Sequence, residues 1–270
     1  MKDIIANRRK INLLQKLRLF RIALLENNFS WTMYLMVYYA ASWIADRAYT
    51  GMNQLRMKHN LPGLNSPAMN YQIWQNWDWE DGGEEWTQSV DWKNSLIKHI
   101  LLKYIRTGAR ILEVGPGAGR WTAILQSVAG RLIAVDISDR CISICKNRFA
   151  DCSNVEFFVN NGVELKFIED DSIDSVWSFD VFVHINSQQV EGYVQEFKRV
   201  LKRGGCAVIH HGHDRGIHGG WRSNLTAERF TDILEHNGFK VLEQLSEWRD
   251  GEQYFKISSY GDVVTVFQKP

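Results

Sequence analysis

His184 and the run His210-His211-Gly212-His213-Asp214 place imidazoles at two points along the chain. An imidazole changes charge near neutral pH, so it is suited to take a proton from a reacting hydroxyl. The same run, with Asp180, has the donor density of a divalent-metal site. Hard magnesium prefers oxygen, so Asp180 and Asp214 would be its ligands rather than the histidines. A third feature is Gly115-Pro116-Gly117-Ala118-Gly119, with Glu113 just before it. Alternate glycines allow a sharp turn and let a ligand approach bare backbone. Asp136 ends the run Leu132-Ile133-Ala134-Val135, 21 positions after Gly115, where a carboxylate can accept from ribose hydroxyls. Together these residues describe a nucleotide-type cofactor cradle with candidate proton acceptors nearby.

Such groups need a rigid frame. Apolar runs at 110–115, 131–136, 154–159, 173–179 and 205–210 read as strands. Helical patterns at 120–129, 139–149 and 187–202 lie between them, and Val90 to Ile105 forms a helix before the first strand. Alternating strands and helices imply a parallel sheet with right-handed crossovers. The tail adds a helix at 226–237 and strands at 239–247 and 262–268. The glycine turn, Asp136, His184 and the His210 run then all sit at the carboxyl edge, where open α/β sheets bind ligands.

The glycine spacing is Gly-x-Gly-x-Gly, not the Gly-x-Gly-x-x-Gly of dinucleotide folds. With Glu113 it resembles motif I of class I S-adenosylmethionine (SAM) methyltransferases. Asn160-Asn161-Gly162, the run ending Phe179-Asp180-Val181-Phe182-Val183-His184, and Leu201-Lys202-Arg203-Gly204-Gly205 extend the resemblance over about residues 92–270. The family usually has proline where Arg203 stands. The resemblance implies a Rossmann-like fold, with a seven-stranded, mostly parallel sheet closed by a C-terminal antiparallel hairpin. It also implies SAM as cofactor. Glu113, Gly115, Gly117, Gly119, Trp121, Asp136, Ile137, Asn161, Gly162 and Phe179 would hold it, with Asp136 on the ribose and Asn161 on the adenine. Magnesium stays open as a second cofactor.

Residues 74–92 hold six acids, no basic residue and five of the eleven tryptophans. Indole faces stack on rings and on cations, and carboxylates accept from hydroxyls. Glu85 and Trp86 are therefore acceptor-binding candidates, with His213 and the loop residues Trp221 and Arg222. Gly83-Glu84-Glu85-Trp86, Phe179 to His184 and Gly220-Trp221-Arg222 resemble bacterial sugar O-methyltransferases, among them mycobacterial enzymes that methylate mannose oligosaccharides. The expected function is methyl transfer to a sugar hydroxyl, with His184 as base and His211 in reserve. The alternatives are a small lipophilic acceptor such as a quinone or polyketide, and a catalytically silent partner subunit.

Residues 1–91 read as a helical extension and lid, and 92–270 as the SAM-binding domain. Residues 1–58 carry ten Lys/Arg against three acids, and 27–45 carry no charge. That uncharged stretch is borderline for a membrane span, which needs about 20 apolar residues. Peripheral membrane contact and homo-oligomer contact are both open to it. A net charge of +1 gives no general pull toward nucleic acid. The four cysteines form no Cys-x-x-Cys pair, and no secretory signal pattern is evident, so a cytoplasmic protein with free thiols is expected.

Overall fold

The computed structural model describes residues 13–59, 61–213 and 222–270. The chain forms two compact units, divided between Leu61 and Pro62. In the first, α1 (Leu13–Glu26) and α2 (Phe29–His59) form a helical hairpin. Asn28 caps α2 by accepting from the Trp31 amide, and the Thr32 hydroxyl donates to the Ala23 carbonyl across the turn. No helix among the described residues is long and apolar enough to cross a membrane.

The second unit starts at α3 (Pro67–Asn76), with Ser66 as its N-cap. The sequence set the division at 91/92, but residues 62–91 pack with the sheet. Asn70 Nδ2 donates to the His184 carbonyl at 2.8 Å, and Ser138 Oγ donates to Gln75 Oε1 at 2.8 Å. These bonds tie α3 to loops at the sheet's carboxyl edge.

The sheet has seven strands in the order β3-β2-β1-β4-β5-β9-β6. They are β1 (Arg110–Val114), β2 (Arg131–Asp136), β3 (Val155–Val159), β4 (Ile173–Ser178), β5 (Leu201–His211), β6 (Lys240–Leu245) and β9 (Val263–Gln268). The first five pair in parallel, and β9 runs antiparallel between β5 and β6. This is the architecture expected from the resemblance. Its central strands are rich in apolar residues because helices cover both faces, although Glu113 interrupts β1 and Ser175 and Ser178 interrupt β4. One face packs Leu112, Val135, Val176 and Ile209 against α8 (Ser187–Val200) and α9 (Ala227–His236). The other packs Ile111, Leu132 and Trp177 against α4 (Val90–Leu96) and Leu125 of α6 (Thr122–Val128). α7 (Asp139–Arg148) follows β2, its first turn capped by Ser138.

Two local features differ from the sequence reading. The helix expected over 90–105 widens into a π turn at Ile97–Leu101 before ending in α5 (Leu102–Tyr104). The strand expected over 239–247 stops at Leu245, and β7 (Glu247–Asp250) pairs instead with β8 (Gln253–Lys256) as a separate hairpin. Its two-residue turn is Gly251-Glu252, with Gly251 at φ 61°. Trp248 pins it to the domain by donating its indole N–H to Ser95 at 2.8 Å.

Candidate active site

The sheet order reverses between β1 and β4, and a cavity of about 740 Å³ opens at that point. Its size falls within the range of about 300–1,000 Å³ usual for ligand pockets. It runs from Gly115, Pro116 and Gly117 past Asp136, Ile137 and Gly162 to Trp74, Trp86 and His184.

The glycine turn is shaped for close approach. Gly115 has φ 76°, and a Cβ there would collide with Val181 Cγ2. A Cβ on Gly117 would come within 3.0 Å of the Trp79 indole. Gly115→Ala is therefore expected to displace the turn, lowering both the melting temperature and S-adenosylhomocysteine affinity. Thermal melts and titration calorimetry check this.

Asp136 lines the cavity at the end of β2. The Ser138 amide donates to its Oδ1 at 2.9 Å and the Gly117 amide to its Oδ2 at 3.3 Å. Burial raises its pKa to about 6 despite these donors. Glu113 sits behind the turn instead of in the cavity. It accepts from the Thr122 hydroxyl at 2.6 Å, and burial raises its pKa to about 8. It supports the turn from within, as does Gly119, whose Cα side faces the Phe149 ring. Trp121 and Phe179 line the cavity wall, 5.2 Å apart between ring centroids. The Asn161 side chain is turned away: it accepts from the Val163 and Glu164 amides, leaving Gly162 and Ile137 as the lining residues there.

The histidines separate. His184 lines the cavity, its ring 5.0 Å from Trp74 in an edge-on contact. His211, the reserve base, is fully buried on the opposite side of β5, away from the cavity. Its Nε2 lies 2.7 Å from Thr265 Oγ1, and burial lowers its pKa to about 3. His213 is exposed and outside the cavity lining. Strand alternation instead turns His210 toward the cavity floor. Its ring lies between two carboxylates: Nδ1 is 3.1 Å from Asp180 Oδ1, and Nε2 is 3.3 Å from Asp262 Oδ2. Burial opposes its charge, but Asp180 and then Asp262 outweigh that and raise its pKa.

Asp180 stands in the left-handed region at φ 63°, a conformation that non-glycine residues hold only when their surroundings enforce it. Arg120 and His210 enforce it here. Burial alone would raise the Asp180 pKa; Arg120 and then His210 overcome this and hold it well below the usual range. Arg120 takes Asp180 Oδ2 and His210 lies against its Oδ1, and this arrangement does not fit Asp180 as a metal ligand. No cluster of three or more metal-ligating side chains occurs among the described residues. Asp214 and Trp221 lie outside the described residues. Arg222 does line the cavity; it pairs with Asp262 and lies over the Tyr260 ring at 4.6 Å.

Six tryptophans line the cavity: Trp74, Trp77, Trp79, Trp86, Trp92 and Trp121. Trp77 stacks on Trp86 at 5.5 Å, and Trp74 meets both. Glu85 accepts from the Trp77 indole N–H at 3.0 Å, which orients the stack. Among cavity residues the sequence reading passed over Arg120, Tyr193, Ser258, Tyr260 and Asp262. Only Arg120 had a usable signal, lying directly after the glycine turn.

A family profile described as a methyltransferase domain matches residues 111–205, the stretch that holds the turn, Asp136 and His184. The match places a methyltransferase domain within residues 111–205 of this chain. Similar curated proteins include a demethylmenaquinone methyltransferase of Tropheryma whipplei, 30% identical over 45% of this chain. A phosphoethanolamine N-methyltransferase of Triticum aestivum is 36% identical over 38% of this chain. The alignments span 48% and 21% of those proteins, so the chain covers about half the first relative's length. The geranyl diphosphate C-methyltransferase of Streptomyces coelicolor A3(2) shares the fold, with TM-score 0.58 and 12% identity over 76% of this chain and 97% of its own.

Proposed function

We propose that this methyltransferase domain transfers a methyl group from SAM to a hydroxyl of a small, ring-bearing acceptor, with His184 as the proton acceptor. One observation carries the reading: a single cavity joins the glycine turn and Asp136 to His184 and the tryptophan wall. Gly115, Gly117, Asp136, Ile137 and Gly162 have the shape and donor set to hold SAM, which when bound supplies a methyl group activated by a positive sulfur. Indole faces suit that charge. The chain's own work is then positioning, exclusion of water by the indole wall, and removal of the hydroxyl proton by His184.

The aromatic lining favours a flat, apolar acceptor, a change of emphasis from the sugar expected on sequence grounds. The relative named for demethylmenaquinone supports a small-molecule acceptor. A sugar remains the second reading, favoured by Glu85, Arg222, Ser258 and Ser259 along the same lining. Incubation with methyl-labelled SAM and parallel panels of phenols, quinols and glycosides separates the two. His184→Ala is expected to lower kcat about 100- to 1,000-fold while S-adenosylhomocysteine affinity holds. Unchanged turnover in that variant would remove His184 as the base.

A further inference from the structure

The α1–α2 hairpin exposes apolar side chains on every side. Among the described side chains of residues 13–59, Thr32 is the one that is buried. Leu25, Phe29, Tyr34, Val37, Trp43 and Ile44 are each more than half exposed. Soluble monomers rarely leave so large a contiguous apolar surface in water, so something covers it.

Two features distinguish the candidate covers. The first is the kind of apolar residue. Between Phe29 and Ala45, a stretch without any charge, stand Trp31, Tyr34, Tyr38, Tyr39 and Trp43. Trp and Tyr rings pair an apolar body with a polar tip and favour the boundary between headgroups and acyl chains. The second is charge. Arg18 and Arg21 on α1, and Arg47, Arg56 and Lys58 on α2, stand against Glu26 and Asp46 alone among residues 17–59. Association of two such hairpins would bring like charges together, whereas an anionic surface would neutralise them. The stretch from Phe29 to Ala45 is too polar to cross a bilayer, in keeping with the lack of a spanning helix among the described residues.

We propose that the α1–α2 hairpin docks this protein on an anionic lipid bilayer. The uncharged, aromatic stretch around the helix turn sinks into the interfacial layer of one leaflet, and Arg18, Arg21, Arg47 and Lys58 meet lipid phosphates. The proposal rests on this unit alone and is independent of the acceptor chemistry, although a surface-bound enzyme would work where lipophilic acceptors collect.

The test is co-sedimentation of the full chain with vesicles of phosphatidylcholine alone and of phosphatidylcholine mixed with phosphatidylglycerol. Binding is expected at least about tenfold tighter to the mixed vesicles and weakened by added salt. Trp31→Ala with Trp43→Ala should abolish binding to both kinds. Arg18→Gln with Arg21→Gln should remove most of the anionic preference, by roughly fivefold per arginine. Retained S-adenosylhomocysteine affinity in each variant reports an intact second unit, so failure here stays distinct from failure of the methyltransferase reading. Absence of wild-type binding to either vesicle would overturn the proposal. So would a wild-type dimer in sedimentation velocity that the tryptophan variant dissociates, because a second copy would then be the cover.

Discussion

Asp136→Ala is expected to lose S-adenosylhomocysteine affinity by at least about 100-fold. The carboxylate stands where ribose hydroxyls can donate to it, and each hydrogen bond to a charged acceptor contributes about 1.5–3 kcal/mol. The pH dependence has a definite sign. Burial raises the folded-state pKa of Asp136 to about 6, above its unfolded value. The proton-bound form is therefore favoured by folding, and this contribution to stability is present in acid and lost as pH rises through about 6. Cofactor binding needs the ionised form, so affinity should run the other way, weakening as pH falls below about 6. Titration calorimetry across that range measures the affinity, and parallel thermal melts measure the stability. A pH-independent affinity in wild type, or full affinity in Asp136→Ala, would remove this carboxylate from the cofactor site.

The second large effect belongs to Asp180. Its side chain compensates Arg120, which lines the cavity, and helps to compensate His210, which is fully buried. Removing one partner from a buried charge network leaves uncompensated charge and costs about 3–5 kcal/mol. Asp180→Ala should accordingly lower the melting temperature by roughly 10 °C. Asp180→Asn should cost less, since asparagine tolerates the left-handed backbone and still offers an acceptor. The pKa of Asp180 is depressed, so its contribution is present above the unfolded carboxyl value near 4 and lost as pH falls. The pKa of His210 is raised, so its contribution is present below about 6.5 and lost as pH rises through its folded value. The stability gap between wild type and Asp180→Ala should be widest between those limits. Denaturant melts at pH 3, 5.5 and 9 would show it, and a gap independent of pH would mean that the three groups are not coupled as described.

Strands β1, β2 and β5 were readable because a sheet buried on both faces writes itself as largely apolar runs, whereas β4 carries Asp174, Ser175 and Ser178 and was placed by the alternation of strands and helices around it. The glycine turn and Asp136 were readable because their roles depend on local backbone and on spacing along the chain. The charge network at the cavity was not. Arg120 and Asp180 are 60 positions apart, and Arg222 and Asp262 are 40 apart, so nothing local announces either pair. For His210 and His211, alternation fixes that they face opposite ways but not which one faces inward. Pairing of β5 with β9, which places Thr265 beside His211, sets that phase. The tryptophan-rich stretch was visible as a binding surface by composition. Its place in the second unit depends on Asn70 and Gln75, whose partners lie in distant loops. The β7–β8 hairpin was missed although Asp250-Gly251 is a turn signal, because the exposed edge strand β6 carries only a weak alternation.

The central claim is that one cavity holds the methyl donor beside His184. A crystal structure with S-adenosylhomocysteine tests it most directly. The account predicts the ribose hydroxyls on Asp136, the adenine against Ile137 and Gly162, and the sulfur end of the ligand directed toward Trp74 and His184. A ligand bound elsewhere, or bound with its sulfur end away from His184, would contradict it.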